Sequence, residues 1–240
     1  MDTTQSSARS VSLVDGVYDQ IVTEINSRGL MGQLDINDGR LARSLGVSRT
    51  PVRMALSRLE SEGLVCRAHG QGWVIATPTL KDIEDIFDLQ EALDSLMIRK
   101  AAERITPEAA ANLMQILDEM RQTAEQGETE KWLAADRRFT EFLCATAGNY
   151  RLRRFLTQLS AQWYRLRFAY IATQGELLTL YEEHRAIVEA VVAGDPDLAA
   201  EQAAKHIRHN RQKLITVIGC VLAPFLGQEV LSGHMSRSEA

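Results

Sequence analysis

The chain has 240 residues, a hydrophobic content of 45% and a formal net charge of −5. This length suits one large or two modest domains, and the hydrophobic content is sufficient for packed cores. Three widely separated cysteines without a C-x-x-C pair argue against a disulfide framework or a zinc ribbon, so we expect a reducing, cytoplasmic environment. The N-terminal residues lack the apolar segment of a signal peptide. The longest uncharged run, which starts at Leu214, is shorter than the roughly 20 apolar residues of a membrane span, so no membrane association is predicted.

The distribution of charge indicates two domains. Residues 1–78 contain eight Lys/Arg and eight Asp/Glu, whereas residues 79–240 contain nineteen and twenty-four, so the whole net negative charge lies in the second part. Between them lies a short linker in which Pro78 ends a strand and Thr79 can cap the helix that follows. We therefore predict one domain at 1–78, with a loose N-terminal arm, and a second at 79–240.

In chain order, the first predicted element is an amphipathic helix from about Ser12 to Ser27. Two shorter helices follow between Gly39 and Leu64, and the tight turn between them begins at Gly46. This spacing is typical of a helix-turn-helix, a motif that places its second helix in the major groove of DNA.

The second helix of this motif has two candidate N-cap residues, Ser48 and Thr50. We favour Thr50, because Pro51 fits the first helical position and disfavours helical geometry in the residue before it. The side chains predicted to face the core recur at helical spacing: Val52, Leu56 and Leu59.

The same stretch carries a local concentration of positive charge. Between Gly39 and Leu59 there are no acidic residues but five arginines: Arg40, Arg43, Arg49, Arg53 and Arg58. Arginine can bind a phosphate or the O6/N7 edge of guanine through two hydrogen bonds, so the stretch is a candidate DNA-binding face. The ordinary alternative is a solvated helix surface without a ligand.

After Gly63, two short apolar runs predict a hairpin. They cover Leu64 to Cys66 and Trp73 to Ala76, and they flank a glycine-rich tip. His69 in this tip is either an ordinary polar turn residue or a contact to phosphate or the minor groove.

Residues 17–77 resemble the winged helix-turn-helix of the GntR family of bacterial transcriptional regulators. The family signature LGVSRTPVR-x-AL-x-RLE-x-EGL is present almost unbroken from Leu45 to Leu64. The resemblance implies DNA contacts from the second helix and from the wing: Ser48, Arg49, Thr50 and Arg53, then His69, Gly70 and Gln71. One position departs from the pattern, since many relatives have Arg or Ser where this chain has Gly39; Arg40, next to it, is the candidate for that phosphate contact.

Beyond the linker, the pattern is helical throughout. Six amphipathic segments with short connections predict an antiparallel bundle of six to seven helices. They cover residues 80–104, a segment that starts at Pro107 after a Thr106 cap, and residues 130–146, 150–173, 176–193 and 196–219. The fold class is therefore mainly α: a winged helix-turn-helix of three helices and a two-stranded wing, followed by an all-α bundle.

This second half resembles the FCD effector domain found in the FadR branch of GntR regulators. The match lies in D-R-R-F-T from Asp136, A-G-N from Ala147, the stretch from Glu183-His184 to Gly194-Asp195, and His206. Two positions depart from the usual pattern. Thr140 stands where the family has histidine, and the usual R-x-x-L-E of the first bundle helix is Q-E-A-L-D from Gln90.

The FCD resemblance implies a polar site in the centre of the bundle. Its effector-binding residues would be Asp136, Thr140, His184 and His206, and three of them, Asp136, His184 and His206, would be ligands of one divalent metal such as zinc or nickel. Threonine is a weak ligand for these metals, so the loss of histidine at position 140 predicts weak binding with water in the vacant position. For His206, or for His209 nearby, the ordinary alternative is a neighbouring carboxylate as partner.

These observations support one main function and two alternatives. The main hypothesis is a homodimeric bacterial transcriptional regulator that binds double-stranded operator DNA and responds to a small-molecule effector, an organic or sugar acid. The alternatives are an all-helical metal-dependent hydrolase using Asp136, His184 and His206, and an architectural DNA-binding protein without effector control. Because no catalytic motif accompanies the candidate metal ligands, we predict that the protein is not an enzyme.

Overall fold

The computed structural model describes residues 3–27, 35–67, 72–174 and 176–222. Within these residues the chain forms nine helices and one small antiparallel sheet. The buried apolar side chains form two separate clusters, one from Val17 to Ile75 and one from Ile83 to Leu214. We call the first part the N-terminal unit and the second the bundle. The predicted fold class, mainly α with a winged helix-turn-helix before a helical bundle, is confirmed.

The N-terminal unit contains three helices: α1 (Thr3–Ser27), α2 (Asp38–Ser44) and α3 (Arg49–Ser61). Helix α1 begins well before the predicted Ser12. The polar residues at its start carry no apolar periodicity, so this part of the helix could not be predicted from the sequence pattern. Asn37 caps α2, because its side-chain oxygen accepts hydrogen bonds of 3.0 Å from the backbone N–H groups of Gly39 and Arg40.

The predicted cap of α3 at Thr50 is wrong. The helix begins at Arg49, and Ser48 is the N-cap residue, although its side chain makes no capping hydrogen bond. Pro51 therefore lies third in the helix rather than first. A proline is tolerated there because the first N–H groups of a helix have no partner within it, so the missing donor costs nothing.

The sheet has three strands, β1 (Asp35–Ile36), β2 (Val65–Arg67) and β3 (Trp73–Ile75), in the order β1-β3-β2. Strands β2 and β3 form the predicted wing and pair with Cys66 opposite Val74. Strand β1 was not expected, since two residues are too few to form a pattern. The tip of the wing, with His69, Gly70 and Gln71, lies outside the described residues.

The bundle contains the six predicted helices. They are α4 (Leu80–Ala102), α5 (Pro107–Glu125), α6 (Thr129–Ala147), α7 (Tyr150–Gln174), α8 (Leu177–Val192) and α9 (Pro196–Leu222). Thr79 and Asp82 cap each other's backbone at the start of α4, and the Thr106 side chain accepts from Ala109 N at the start of α5. Of the described helices, none is long and apolar enough to cross a membrane.

Helix α4 lies at the centre of the bundle and packs against α6, α7, α8 and, most extensively, α9. The fully buried Trp132 side chain lies on α6, which packs against α4 and α5. Ile83, Phe87 and Met97 face the core from α4. This packing brings the inner faces of α6, α8 and α9 together, and they carry the polar residues described below.

The N-terminal unit contacts the bundle through α7. The side-chain amide of Gln162 donates a hydrogen bond to the backbone carbonyl of Glu62, directly after α3. Beside this contact lies a cleft of about 400 Å³ between the two parts, lined by Leu64, Pro78 and Leu159 among others. The C-terminal end of α3 is therefore tied to the bundle.

Candidate nucleic-acid interface and effector site

Helix α3 has one buried and one exposed face, and the exposed face carries the predicted DNA contacts. Val52 and Leu56 are 0% exposed, which confirms the predicted phase of the helix. Arg49, Thr50 and Arg53 all lie on the exposed side, as does Ser48 directly before the helix. Since α3 is the second helix of the helix-turn-helix, this exposed face is the one that can enter a groove.

Two of the three arginines of α3, Arg49 and Arg53, lie against α2. Arg53 Nε is 3.9 Å from Asp38 Oδ2, an exposed pair that contributes little to stability. The Arg49 guanidinium passes over Gly39, and a Cβ atom at residue 39 would lie 2.9 Å from Arg49 Nη2. The glycine that departs from the family pattern therefore leaves room for Arg49, a relationship that sequence reasoning missed.

Arg58, one of the five arginines in the cationic stretch, has a structural role instead. Its side chain contacts Asp15 at 3.2 Å and Glu62 at 3.0 Å, and its guanidinium lies 4.0 Å from the centroid of the Tyr18 ring. Burial and the hydrogen bond to Glu62 raise the pKa of the Tyr18 hydroxyl. Arg58 thus ties α3 to α1, while Arg40 and Arg43 on α2 are exposed.

In the bundle, Asp136 of α6 and His184 of α8 form a buried pair. They are 4% and 2% exposed, and Asp136 Oδ1 lies 3.1 Å from His184 Nε2. The other ring nitrogen, Nδ1, is 2.7 Å from the carbonyl oxygen of Leu180. Trp132 and Phe139 pack edge-on around the imidazole, with ring centroids 5.6 and 4.9 Å away. Because oxygen acceptors face both ring nitrogens, the His184 ring can donate to both only when it is protonated.

His206 of α9 lies beside this pair, with its ring centroid 4.6 Å from that of His184. Its Nδ1 is 2.6 Å from Glu183 Oε2, and its Nε2 is 3.0 Å from Asn210 Nδ2. His209 contacts the other carboxylate oxygen of Glu183. The alternative given above for His206 and His209, a neighbouring carboxylate as partner, is therefore present, and the carboxylate is that of Glu183 in both cases.

The two histidines decide the charge of Glu183. Burial alone raises the pKa of its carboxyl, but the hydrogen bond and charge of His206, and then those of His209, outweigh burial and leave the pKa below its ordinary value. Glu183 is therefore ionised at neutral pH and acts as the common acceptor for both imidazoles.

Asn210 completes this cluster and was not among the predicted site residues. It is 3% exposed, and its Oδ1 has no hydrogen-bond partner among the described residues. A buried amide oxygen without a donor is costly, and such groups in native proteins mark the position of a water, an ion or a ligand. One sequence signal could have identified it: Asn210 lies one helical turn after His206, on the same face of α9.

Thr140 does not join the cluster through its hydroxyl group. Thr140 Oγ1 donates to the backbone carbonyl of Asp136, one turn earlier on α6, at 3.2 Å. The other departure from the family pattern, Gln90, is buried on α4. The structure thus brings together the predicted Asp136, His184 and His206 and adds Glu183 and Asn210 to them.

These residues do not fit a metal ion held by three protein ligands. In the described part of the chain, no group of three or more His, Cys, Asp or Glu side chains is arranged to hold a metal. Asp136 Oδ1 and His184 Nε2 are adjacent and could both be metal ligands. Both nitrogens of His206 are already in use, because Nε2 accepts a hydrogen bond from Asn210 and Nδ1 faces Glu183. These residues instead form a polar cluster joined by hydrogen bonds.

Comparison with known proteins identifies both parts of the chain. Residues 13–75 match the family model for bacterial regulatory proteins of the gntR family, and residues 85–209 match the FCD domain. The chain is 27% identical over 184 residues to YdhC, an uncharacterized HTH-type transcriptional regulator from Bacillus subtilis, which covers 76% of this chain and 82% of that protein.

Two further similarities involve a named repressor and a solved structure. The chain is 28% identical over 207 residues to the probable D-xylose utilization operon transcriptional repressor of Paenarthrobacter nicotinovorans, covering 86% of this chain and 91% of that protein. It shares its fold with E. coli McbR/YncC, with a TM-score of 0.74 and 22% identity over 85% of this chain and 98% of that one. The chain therefore belongs to the GntR family of bacterial transcriptional regulators, with an FCD domain after its winged helix-turn-helix.

Proposed function

We propose that this regulator binds operator DNA through the exposed face of α3 and the wing, and that a small organic or sugar acid bound in the bundle controls its affinity for that DNA. The observation that carries the DNA-binding part is the placement of Arg49 and Arg53 on the exposed face of α3, opposite a fully buried Leu56. We assign the same face to Ser48 and Thr50, and assign further contacts to Arg40, His69, Gly70 and Gln71. Such a regulator would act in the cytoplasm, where bacterial DNA is located.

We further propose that the protein acts as a homodimer. One recognition helix reads only a few base pairs, so two-fold pairing on a symmetric operator is the usual route to specificity. Large apolar side chains are exposed on two neighbouring helices of the bundle, Leu89 and Leu96 on α4 and Phe155 on α7. Leu89 and Leu96 are seven residues apart and so share a helix face, which makes these helices candidates for the dimer contact.

We also propose that the chain divides at the linker into two domains. Residues 1–78 form the DNA-binding domain, and residues 79–240 form the effector-binding and dimerisation domain.

The effector site that we propose is the cluster around Asp136, His184 and His206. Its buried Asn210 Oδ1 lacks a donor among the described residues, and a ligand hydroxyl would supply one. His209, whose Nδ1 contacts Glu183, can donate from Nε2 to a carboxylate on the same ligand when its ring is protonated. A hydroxy acid or a sugar acid has both groups, and the relatives include the probable D-xylose utilization operon transcriptional repressor.

A divalent metal such as zinc or nickel is the alternative occupant of this cluster. Two observations favour direct effector binding over it: the Thr140 hydroxyl bonds to its own helix, and His206 Nε2 accepts from Asn210. The same two contacts count against the hydrolase alternative, which needs Asp136, His184 and His206 around one metal. An architectural DNA-binding protein without effector control would not need a polar cluster in the bundle, so that alternative does not explain it.

Two experiments test the proposal. In the first, operator DNA is selected from random duplexes at physiological salt, and the affinities for selected and random DNA are compared. No preference for any sequence would refute the DNA-binding proposal.

In the second experiment, a thermal-shift screen of organic acids and sugar acids is run on the wild type and on Asn210→Leu. We expect a ligand that raises the melting temperature of the wild type by mass action and fails to do so for Asn210→Leu. A ligand that also leaves DNA affinity unchanged would support the architectural alternative.

A further inference from the structure

Met54 is a large apolar side chain on the exposed face of α3. It is 57% exposed, whereas the core-facing Val52 and Leu56 of the same helix are completely buried. Met54 is one of the variable positions of the family signature within this helix, and none of the candidate DNA contacts includes it. Its exposure therefore has no explanation in the packing of the N-terminal unit.

The phase of α3 places Met54 in the part of the surface that faces outward. Thr50 precedes it by four residues and Ser57 follows it by three, and both are exposed, so the three side chains form one stripe. On one side of this stripe lie Arg49 and Arg53, which lean toward α2. On the other side lies Arg58, which contacts Asp15 of α1. Met54 thus stands among polar side chains at the centre of the outward surface.

We propose that Met54 recognises a thymine in the operator by packing against its 5-methyl group. This inference rests on the proposed entry of α3 into the major groove. The thymine methyl group is the apolar feature of the base edges in that groove, whereas the other edge groups are hydrogen-bond donors and acceptors. Methionine is unbranched and polarizable, so it can follow the shape of a groove and contact a methyl group without leaving a polar atom unpaired.

The neighbouring arginines define the expected sequence context. Arg53 directly precedes Met54 in the helix and can contact guanine through two hydrogen bonds. Thymine and guanine should therefore lie close together in each half-site, one read through its methyl group and the other through its acceptor edge. The arginine supplies affinity and the choice of guanine, while Met54 adds a preference for thymine at a nearby position.

The test uses operators in which thymine is replaced by deoxyuridine, one position at a time. Deoxyuridine keeps every hydrogen-bonding group of thymine and lacks only the methyl. We expect one thymine in each half-site at which this replacement weakens wild-type binding about fourfold, the effect of burying roughly one apolar carbon. The Met54→Ala variant should bind the thymine operator more weakly than wild type and should be insensitive to deoxyuridine at that position. Met54→Leu, which keeps an apolar side chain, should retain the sensitivity.

Two controls separate this contact from a change in folding or in general affinity. Met114→Ala removes a similarly exposed methionine, 50% exposed on α5, and should leave the deoxyuridine profile of the wild type unchanged. Thermal unfolding of each variant checks that the fold is intact.

The outcomes for the inference and for the proposed function are distinct. A wild type that selects no operator refutes the proposed function. A wild type that selects an operator, but responds to deoxyuridine in the same way as Met54→Ala at every thymine, overturns the role of Met54 alone. An operator without thymine in either half-site overturns it as well.

Discussion

The side-chain amide of Gln162 on α7 donates a hydrogen bond to the backbone carbonyl of Glu62, the residue that follows the last turn of α3. Carbonyl groups at the end of a helix have no partner within it, so a donor from elsewhere stabilises that end. In this protein the donor comes from the bundle. The end of the recognition helix is therefore held by the part of the chain to which we assign the effector.

Gly63 makes this contact possible, and its replacement by alanine should weaken it. Gly63 has φ +70°, which strains any residue with a Cβ by roughly 1–2 kcal/mol. A Cβ there would also overlap Gln162 Nε2, so the flexible amide must move away and give up its hydrogen bond, worth about 1 kcal/mol. We expect Gly63→Ala to lower the free energy of unfolding by the sum of both effects, as measured by urea denaturation.

Gly127 provides a matched control for Gly63. It has φ +67°, but a Cβ there would meet no atom within 4 Å, so Gly127→Ala should show the backbone strain alone. In a Gln162→Ala background, the excess cost of Gly63→Ala over Gly127→Ala should disappear. Equal costs for the two glycine replacements in the wild-type background would contradict a role for the Gln162 contact.

Arg49→Ala and Arg53→Ala should each weaken binding to the selected operator by about 1–3 kcal/mol if the arginine forms a pair of hydrogen bonds with a base. Neither replacement should affect folding, since both side chains are on the exposed face of α3. Fluorescence anisotropy with operator and random duplexes measures the effect. Arg185→Ala is the control: it removes the same charge from an exposed position on α8, where Arg185 pairs only with Glu182 and Glu189 of its own helix among the described residues. Equal reductions in affinity for operator and random DNA would instead assign the two arginines to phosphate contacts.

Leu56→Ala should act through the core of the N-terminal unit. The side chain is 0% exposed, and truncating a fully buried leucine costs roughly 2–5 kcal/mol in stability. Met54→Ala, two residues earlier on the exposed face, should change stability by no more than about 0.5 kcal/mol. Urea denaturation of the two variants compares the faces directly, and a Leu56→Ala protein as stable as wild type would contradict the packing of α3.

Local signals explain which features of the fold were predictable. The Thr106-Pro107 pair marks the start of α5, and the apolar periodicity defines the phase of α3, so both were predicted correctly. The start of α3 was not, because the helix-turn-helix geometry overrides the preference of Thr50 before a proline. Strand β1 pairs with β3 over only two residues, and such pairing depends on the tertiary structure rather than on a local pattern.

The candidate effector site was predictable only in part. The family pattern identified Asp136, His184 and His206, because their spacing is retained in the chain. It did not identify the bond between Glu183 and His206, which are 23 residues apart on different helices, or the Asn210 oxygen that has no partner among the described residues. These features arise from the way α8 packs on α9, and no local periodicity in the sequence predicts that arrangement.

The choice between a metal and an organic ligand in this cluster can be tested at Thr140. A histidine here would stand one helical turn after Asp136, on the same face of α6, and would restore the ligand that the family pattern has at this position. Imidazole is a far better ligand for zinc or nickel than a neutral hydroxyl group. We therefore expect Thr140→His to bind these metals more tightly than wild type, in isothermal titration and in metal analysis of gently purified protein.

Thr146→His is the matched control for this change. Thr146 lies on the same helix and also donates its hydroxyl to the carbonyl one turn earlier, but its position six residues further on turns it to a different face. It should add an imidazole without increasing metal affinity. If wild type and Thr140→His both bind no metal, the third ligand is blocked because His206 keeps its bonds to Glu183 and Asn210. The cluster is then a site in which the histidines contact an organic effector directly, and the thermal shift that this effector produces should survive treatment of the protein with a chelator.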